Sequence, residues 1–316
     1  MTSSIPMLMV QQKLAGRSWR PAGYFYAVDG TAYPGAPSDP LPIINDGTGF
    51  WSGFSSGMVG GMINVKDGLW ASRCIGYEAK TLDMWDSVQQ GRANLVAAIQ
   101  SDAANYFVAN GTYVGLVITG SGYSQGSMVW DQVWVEDILS PTGVLHYLLP
   151  YVYRIYQFGH VFRTPGIAHG NALVGLSESI TQNGVESGGI GGVLDLTVAQ
   201  TNYVSPVGTP VIYSCANLGD IYTCAPMGTQ PWSTSTMAPQ GKTGYIFFRI
   251  IMDATFVDTL EAVEVLEDPI HSLEEGYNAA KFFAEGVNAP HYQYYPQMLG
   301  CITDVMNLGE SLPHEL

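Results

Sequence analysis

The 316-residue sequence predicts an α/β fold built on a mainly parallel sheet. Short β-like apolar runs at 24–28, 70–77, 113–119, 151–158 and 209–214 alternate with stretches whose apolar residues recur at helical spacing. The third run leads through Gly122-Tyr-Ser-Gln-Gly126 directly into one of those helical stretches, a strand, sharp turn and helix in sequence. In open sheets of this kind ligands bind beyond the carboxyl ends of the strands, which is where Ser124 falls.

Residues 1–20 carry no clear period and read as an irregular extension. The run at 24–28 ends at Asp29-Gly30-Thr31, a turn signal, after which Pro and Gly dominate to about residue 61. From 84 to 106, Trp85, Val88, Leu95, Val96, Ile99 and Ala103 form a helical stripe. Met128, Trp130, Val133, Trp134 and Ile138 form another after Ser124. Between 170 and 205 the chain is rich in Gly, Ser, Asn and Thr, including Gly188-Gly-Ile-Gly-Gly192. A phosphate loop needs a Lys-Ser/Thr pair that is missing there, so a mobile covering loop is expected. Two helical stretches follow within 245–286, the second carrying Glu274, Glu275, Phe282 and Phe283. The organisation expected is an extension over 1–22, one catalytic domain over 23–300 with a Gly-rich insertion (170–205) and a helical elaboration (245–286), and a tail over 301–316.

Composition excludes several function classes. Net charge is −15 with only 12 Lys and Arg and no basic run, so a nucleic-acid partner is not expected and an anionic membrane surface should repel the chain. The first ten residues lack the basic region and long apolar core of a secretory signal, and no apolar stretch is long enough for a transmembrane helix. No Cys-x-x-Cys, His-Glu-x-x-His or acidic calcium-loop pattern occurs, so neither metal nor cofactor is expected. Of Cys74, Cys215, Cys224 and Cys301, the pair Cys215 and Cys224 sits close together in a turn region and is the expected disulfide if one forms.

A serine becomes an effective nucleophile on esters when it stands at the tip of a sharp strand-to-helix turn, where flanking glycines keep side chains clear. Gly122 and Gly126 flank Ser124 in this way. A second match, Gly53-Phe-Ser-Ser-Gly57, follows the turn-rich Asn45-Asp-Gly-Thr-Gly49 and lacks a preceding strand, so Ser124 is the candidate nucleophile. In an α/β-hydrolase the acid and then the base follow the nucleophile in the chain. His146 and His160 come too early, His314 is near the end, and His271 follows Asp268-Pro269 at a helix start. His291, on a loop after a helix, is the candidate base. Asp195 and Asp220 are the candidate acids, and Asp220 is preferred because it follows a strand-like run and a turn, Asn217-Leu-Gly219. The oxyanion donors expected are the amides of Gln125, the residue after the nucleophile, and Thr31, after the first strand.

With these residues placed, the chain resembles the lysin B proteins of mycobacteriophages, cutinase-like serine esterases. The resemblance runs through Gly122–Gly126, Ile138-Leu-Ser-Pro-Thr-Gly-Val-Leu-His146, Phe162-Arg-Thr-Pro-Gly-Ile-Ala-His169, Gly219-Asp-Ile-Tyr222 and Pro290-His-Tyr-Gln-Tyr-Tyr-Pro296, in the family's order. It implies a cutinase-like α/β-hydrolase three-layer sandwich and a Ser124, Asp220, His291 triad. It also implies hydrolysis of the ester joining mycolic acids to arabinogalactan in the mycobacterial envelope during lysis. The family usually has His-Gly-Thr where this chain has Asp29-Gly30-Thr31, and Gly-Asn-Pro where it has Gly159-His160-Val161. The extension and the 12 % content of charged residues also suit a phage virion component, in the tail rather than the head, that contacts other virion proteins.

Overall fold

Strand β1 (Gly23–Val28) lies between β2 (Trp70–Ile75) and β3 (Ile118–Tyr123), and β3 continues to β4 (Val152–Phe158) and β7 (Ile212–Cys215), giving the order β2-β1-β3-β4-β7. All four pairings are parallel. The computed structural model describes residues 23–31, 59–63, 70–80, 84–182, 184–227, 237–252 and 289–312. The second Gly-x-Ser-x-Gly match, the extension over 1–22, His271, Glu274, Glu275, Phe282, Phe283 and His314 lie outside them.

Parallel strands covered on both faces are apolar along their length rather than alternating, and β1, Gly-Tyr-Phe-Tyr-Ala-Val, is such a strand. Its Tyr26 and Val28 join a cluster with Val88, Leu95 and Ile99 of helix α1 (Met84–Asn110) and Met128, Val129 and Trp130 of helix α2 (Gln125–Gln132). Phe25 and Ala27 point the other way, to Met298, Cys301, Ile302 and Val305 of helix α6 (Tyr295–Ser311). The result is three layers: α1 and α2, the sheet, and α6. Among the described residues no helix is long and apolar enough to cross a membrane.

Helix α1 has the expected stripe and runs four residues further than 106. At its centre Gly91 permits close contact with α2, since a Cβ there would stand 2.7 Å from a methyl of Val129. Asp102 of α1 accepts hydrogen bonds from Tyr26 Oη at 3.0 Å and from Arg73 Nε at 3.0 Å and Nη2 at 2.9 Å, tying the helix to β1 and β2. Past Leu173, the end of the short helix α3 (His169–Ala172), come a small antiparallel pair, β5 (Thr181–Gln182) and β6 (Val185–Glu186), and a single turn, α4 (Val198–Thr201), capped at both ends of its first turn by Thr197 and Gln200.

Three expectations are corrected. The strand expected at 113–119 begins only at Ile118 and takes in the glycine-rich Gly120-Ser-Gly122. The glycines are there for packing: a Cβ on Gly120 would meet the Trp130 ring at 2.2 Å and Tyr26 O at 2.5 Å. Within the glycine-rich segment, expected as a mobile covering loop, residues 188–191 are tied to neighbouring segments by backbone hydrogen bonds. Gly188 exchanges backbone hydrogen bonds with Ala225 at 2.9 and 3.0 Å, and the amides of Gly189, Ile190 and Gly191 donate to Arg163 O, Tyr222 O and Val161 O. Glycine is needed because a Cβ on Gly189 would stand 2.0 Å from Val161 O. Finally, the tail expected from 301 is the body of α6, whose Cys301, Ile302 and Val305 are buried against the sheet. Of the elaboration at 245–286, the described part is helix α5 (Pro239–Met252), which begins earlier than expected.

Candidate active site

Ser124 caps the N-terminus of α2 with φ 52° and ψ −118°, a left-handed backbone that a non-glycine residue adopts only under constraint. Such strain costs roughly 1–3 kcal/mol and persists only where the surroundings over-determine it. Here they do. The Ser124 amide donates to Phe158 O at 2.8 Å, and its carbonyl accepts from the Ser127 amide at 2.9 Å and the Ser127 hydroxyl at 2.6 Å. Ser124 is half-buried while Tyr123 and Gln125 beside it are buried, so the turn offers the serine alone to solvent.

The elbow glycines have identifiable roles. A Cβ on Gly126 would lie 2.2 Å from Val28 O, and one on Gly122 would lie 2.5 Å from the Gln157 side chain and 2.6 Å from Gly126 O. Gly30 is equally constrained, because its Cβ would stand 2.9 Å from Cβ of Ser124. The loop after β1 therefore closes over the elbow at van der Waals distance, which only glycines permit.

His291 lies in a 3₁₀ turn, Pro290–Tyr292, just before α6, and is 4 % exposed. Its Nδ1 is 2.9 Å from Oδ2 of the fully buried Asp220, so a proton on Nδ1 is held there and Nε2 is left as acceptor. Asp220 sits in the loop after β7. Burial by itself would raise its carboxyl, but facing His291, hydrogen bonds from His291 and Tyr294, and the Tyr222 amide together hold it below the ordinary carboxylate range. The Tyr294 hydroxyl donates to Oδ2 at 2.6 Å and the Tyr222 amide to Oδ1 at 2.9 Å.

His291 is also fixed from the strand side. The Tyr123 hydroxyl donates to His291 O at 2.9 Å, and a Cβ on Gly159 would stand 2.7 Å from Cε1 of the imidazole. Gly159, with φ +58°, directly follows the Phe158 carbonyl that holds the Ser124 amide. The Ser124 turn and the His291 imidazole are thus both referenced to one turn at the end of β4.

Thr31 and Gln125 also come together. The Thr31 hydroxyl donates to Oε1 of Gln125 at 3.2 Å, and Nε2 of Gln125 donates to Lys80 O at 3.2 Å and Met84 O at 3.3 Å. The Gln125 amide belongs to the first turn of α2, where backbone N–H groups lack intrahelical acceptors and the helix dipole favours negative charge. Asp29 is buried, and its carbonyl accepts from the Tyr77 hydroxyl at 2.6 Å.

The expected Cys215–Cys224 disulfide is not formed; both are buried free thiols. The reason is their direction. Cys215 ends β7 among the residues facing α6, whereas Cys224 packs with Ala168, Ile180 and Ala216 in a separate cluster. Burial pushes both thiols up, so neither is poised to react. The loop carrying Asp220 is held by Arg163 instead, a fully buried residue whose Nε donates to Thr223 O at 2.7 Å and whose Nη2 donates to Ser187 O at 2.7 Å.

The remaining histidines are engaged elsewhere. His146 meets Ile138 O at 2.9 Å, His160 lies between Asp131 and Ser214, and His169 meets Asn202 Oδ1 at 2.8 Å. Asp195, the other acid considered, has no hydrogen-bond partner for either carboxylate oxygen among the described residues. No group of three His, Cys, Asp or Glu among those residues could hold a metal ion. Tyr294, Tyr123 and Arg163 escaped the sequence reading. For Tyr294 the available signal was the density of aromatic residues around His291.

No protein-family model matches the chain. Over 100 residues, 31 % of its length, it is 35 % identical to Endolysin B of Mycobacterium phage D29, and over 93 residues it is 32 % identical to Endolysin B of Mycobacterium phage L5. These matches span 36 % and 34 % of the relatives, about a third of their length. The crystal structure of lysin B from Mycobacteriophage D29 superposes with a TM-score of 0.56 over 88 % of this chain and 98 % of that one, at 21 % identity, which speaks to fold. The parallel sheet between helical layers and the strained serine at its carboxyl edge agree with these likenesses: the chain has an α/β fold shared with lysin B from Mycobacteriophage D29 and is similar, over about a third of its length, to the mycobacteriophage Endolysin B proteins.

Proposed function

We propose that the chain is a serine esterase that cleaves lipid esters of the mycobacterial cell envelope, the ester between mycolic acid and arabinogalactan foremost. In this reading Ser124 is the nucleophile, His291 the general base and acid, and Asp220 the group that orients and stabilises the imidazole. The Ser124 oxygen attacks the ester carbonyl as its proton passes to Nε2 of His291, and the imidazolium returns that proton to the departing alcohol. Water, activated by the same imidazole, then hydrolyses the acyl-enzyme and frees the acid. The amides of Gln125 and Thr31 are assigned to the oxyanion.

The observation that supports this most is the shared framework of Ser124 and His291 at the Phe158–Gly159 turn, with Asp220 2.9 Å behind the imidazole. The substrate class rests on the relationship to phage endolysins, and with it action on the host envelope at lysis. Hydrolysis of a chromogenic acyl ester by the wild-type protein, abolished in Ser124→Ala, tests the chemistry; release of mycolic acid from isolated cell wall tests the substrate. Equal inertness of both proteins on both substrates would overturn the reading. A second setting, in the phage particle, is favoured by the 12 % content of charged residues, and immunoblotting of purified virions decides it.

A further inference from the structure

The chain holds a second Ser/His/Asp set, sealed from solvent. His160 and Ser214 are 0 % exposed and Asp131 is 1 % exposed. Nε2 of His160 is 2.8 Å from Oδ2 of Asp131, and Nδ1 is 2.7 Å from Oγ of Ser214. With the imidazole donating to Asp131, Nδ1 accepts the Ser214 proton, the relation a triad needs, but no substrate reaches it. The other oxygen of Asp131 accepts from Gln157 Nε2 at 3.0 Å, which also donates to Ser127 O at 3.2 Å. The array thus runs from α2, the elbow helix, across the end of β4 to β7.

What it holds in place is the turn next to it. His160 follows Gly159, whose Cα leaves room for the His291 ring, and Gly159 follows Phe158, whose carbonyl holds the Ser124 amide. The amide of Val161, on the other side of His160, donates to the Ser127 hydroxyl at 3.2 Å. We propose that Asp131, His160 and Ser214 form a positioning chain that fixes the Phe158–Gly159 turn and, through it, the separation of Ser124 from His291. An imidazole suits the task because its two nitrogens point to opposite sides and span α2 to β7.

This inference rests on the assignment of Ser124 and His291 as nucleophile and base, and its test separates the two ideas. In Ser214→Ala and Asp131→Asn, kcat should fall about 10- to 100-fold, the scale of an ångström-size misplacement, with KM within about twofold of wild type. Labelling of Ser124 by a fluorophosphonate should slow in parallel. Ser214→Thr, which keeps the hydroxyl, should restore most of kcat. Folded variants with wild-type kcat overturn the proposal, as does a Ser214→Thr protein impaired as severely as Ser214→Ala at equal melting temperature. If the wild-type protein is inert to esters and to the fluorophosphonate, the esterase reading fails. The positioning chain is then judged by the His291 Nδ1 proton resonance, identified by its loss in Asp220→Asn: a shift in Ser214→Ala supports it, and an unmoved resonance overturns it.

Discussion

The hydroxyl of Tyr294 donates to Oδ2 of Asp220 at 2.6 Å, the same oxygen that faces Nδ1 of His291. The carboxylate is therefore held from the opening of α6 as well as by its own loop, and this bond helps keep it below the ordinary carboxylate range after burial has pushed it up. A carboxyl lowered on folding contributes stability that is complete above its unfolded value, ~4, and is lost as pH falls through the folded value. Tyr294→Phe should remove about 1.5–3 kcal/mol at neutral pH, the worth of a hydrogen bond to a charged group. The gap in melting temperature between the two proteins should narrow as pH falls below ~4. A gap constant from pH 7 to pH 3 would place the hydroxyl's contribution in its bonds to the Asn217 amide and the Thr223 hydroxyl and not in the Asp220 carboxylate.

Gly159 and Gly208 both have positive φ, +58° and +79°, but only the first faces the imidazole of His291, the proposed base. Alanine at either position should cost about 1–2 kcal/mol of backbone strain. At Gly159 the new methyl would also displace the His291 ring, and kcat should fall about 100-fold. At Gly208 nothing lies within 4 Å of the added carbon, and activity should be unchanged. Equal kcat in the two alanine variants would separate His291 from the turn.

The proposed set of Ser124, Asp220 and His291 could be singled out in the sequence because an α/β-hydrolase imposes that chain order, and turn-rich segments around Asp220 and His291 could be picked out from composition. The limits of β3 were not legible. The apolar residues Val114 to Val117 look like its body, yet Val114 is exposed, and the strand proper is threaded through Gly120, across which Trp130 packs from the next helix, and Gly122, which the Gln157 side chain and Gly126 O approach. The same holds for Gly188–Gly192: glycine content suggested mobility, whereas the glycines are required for close contact with Val161 and Arg163, a tertiary fact with no local signature. The cysteine spacing misled for a related reason, since proximity in sequence says nothing about which layer each side chain enters.

Gln125 joins three segments through one amide group: Thr31 after β1, Lys80 after β2 and Met84 at the start of α1. Gln125→Ala leaves two carbonyls and the hydroxyls of Thr31 and Tyr77 without that partner and should cost roughly 1–3 kcal/mol of stability. Thr31→Val removes only the hydroxyl. A bond worth ~1 kcal/mol, if it holds the Thr31 amide toward the oxyanion, corresponds to a loss of about fivefold in kcat. Urea unfolding of Gln125→Ala and steady-state kinetics of Thr31→Val check the two. Unchanged kcat in Thr31→Val would detach Thr31 from the oxyanion site.

Asp195 shows the opposite electrostatics to Asp220. It is buried against the glycine-rich segment, and neither oxygen has a hydrogen-bond partner among the described residues. Burial drives its carboxyl well above the ordinary range, and the charge of Arg163 draws it back only in part. A carboxyl raised on folding binds its proton more tightly in the native chain than in the unfolded one. Wild-type stability therefore declines as pH rises above ~4 and levels off only past the raised native value. Asp195→Asn has no proton to lose there. The variant should be the more stable protein at neutral pH, with the advantage shrinking to nothing as pH falls to ~4 or below. Thermal melting of both proteins across that range measures it; an advantage that does not change with pH, or a variant less stable at pH 7, would mean that the native carboxylate is paired and charged.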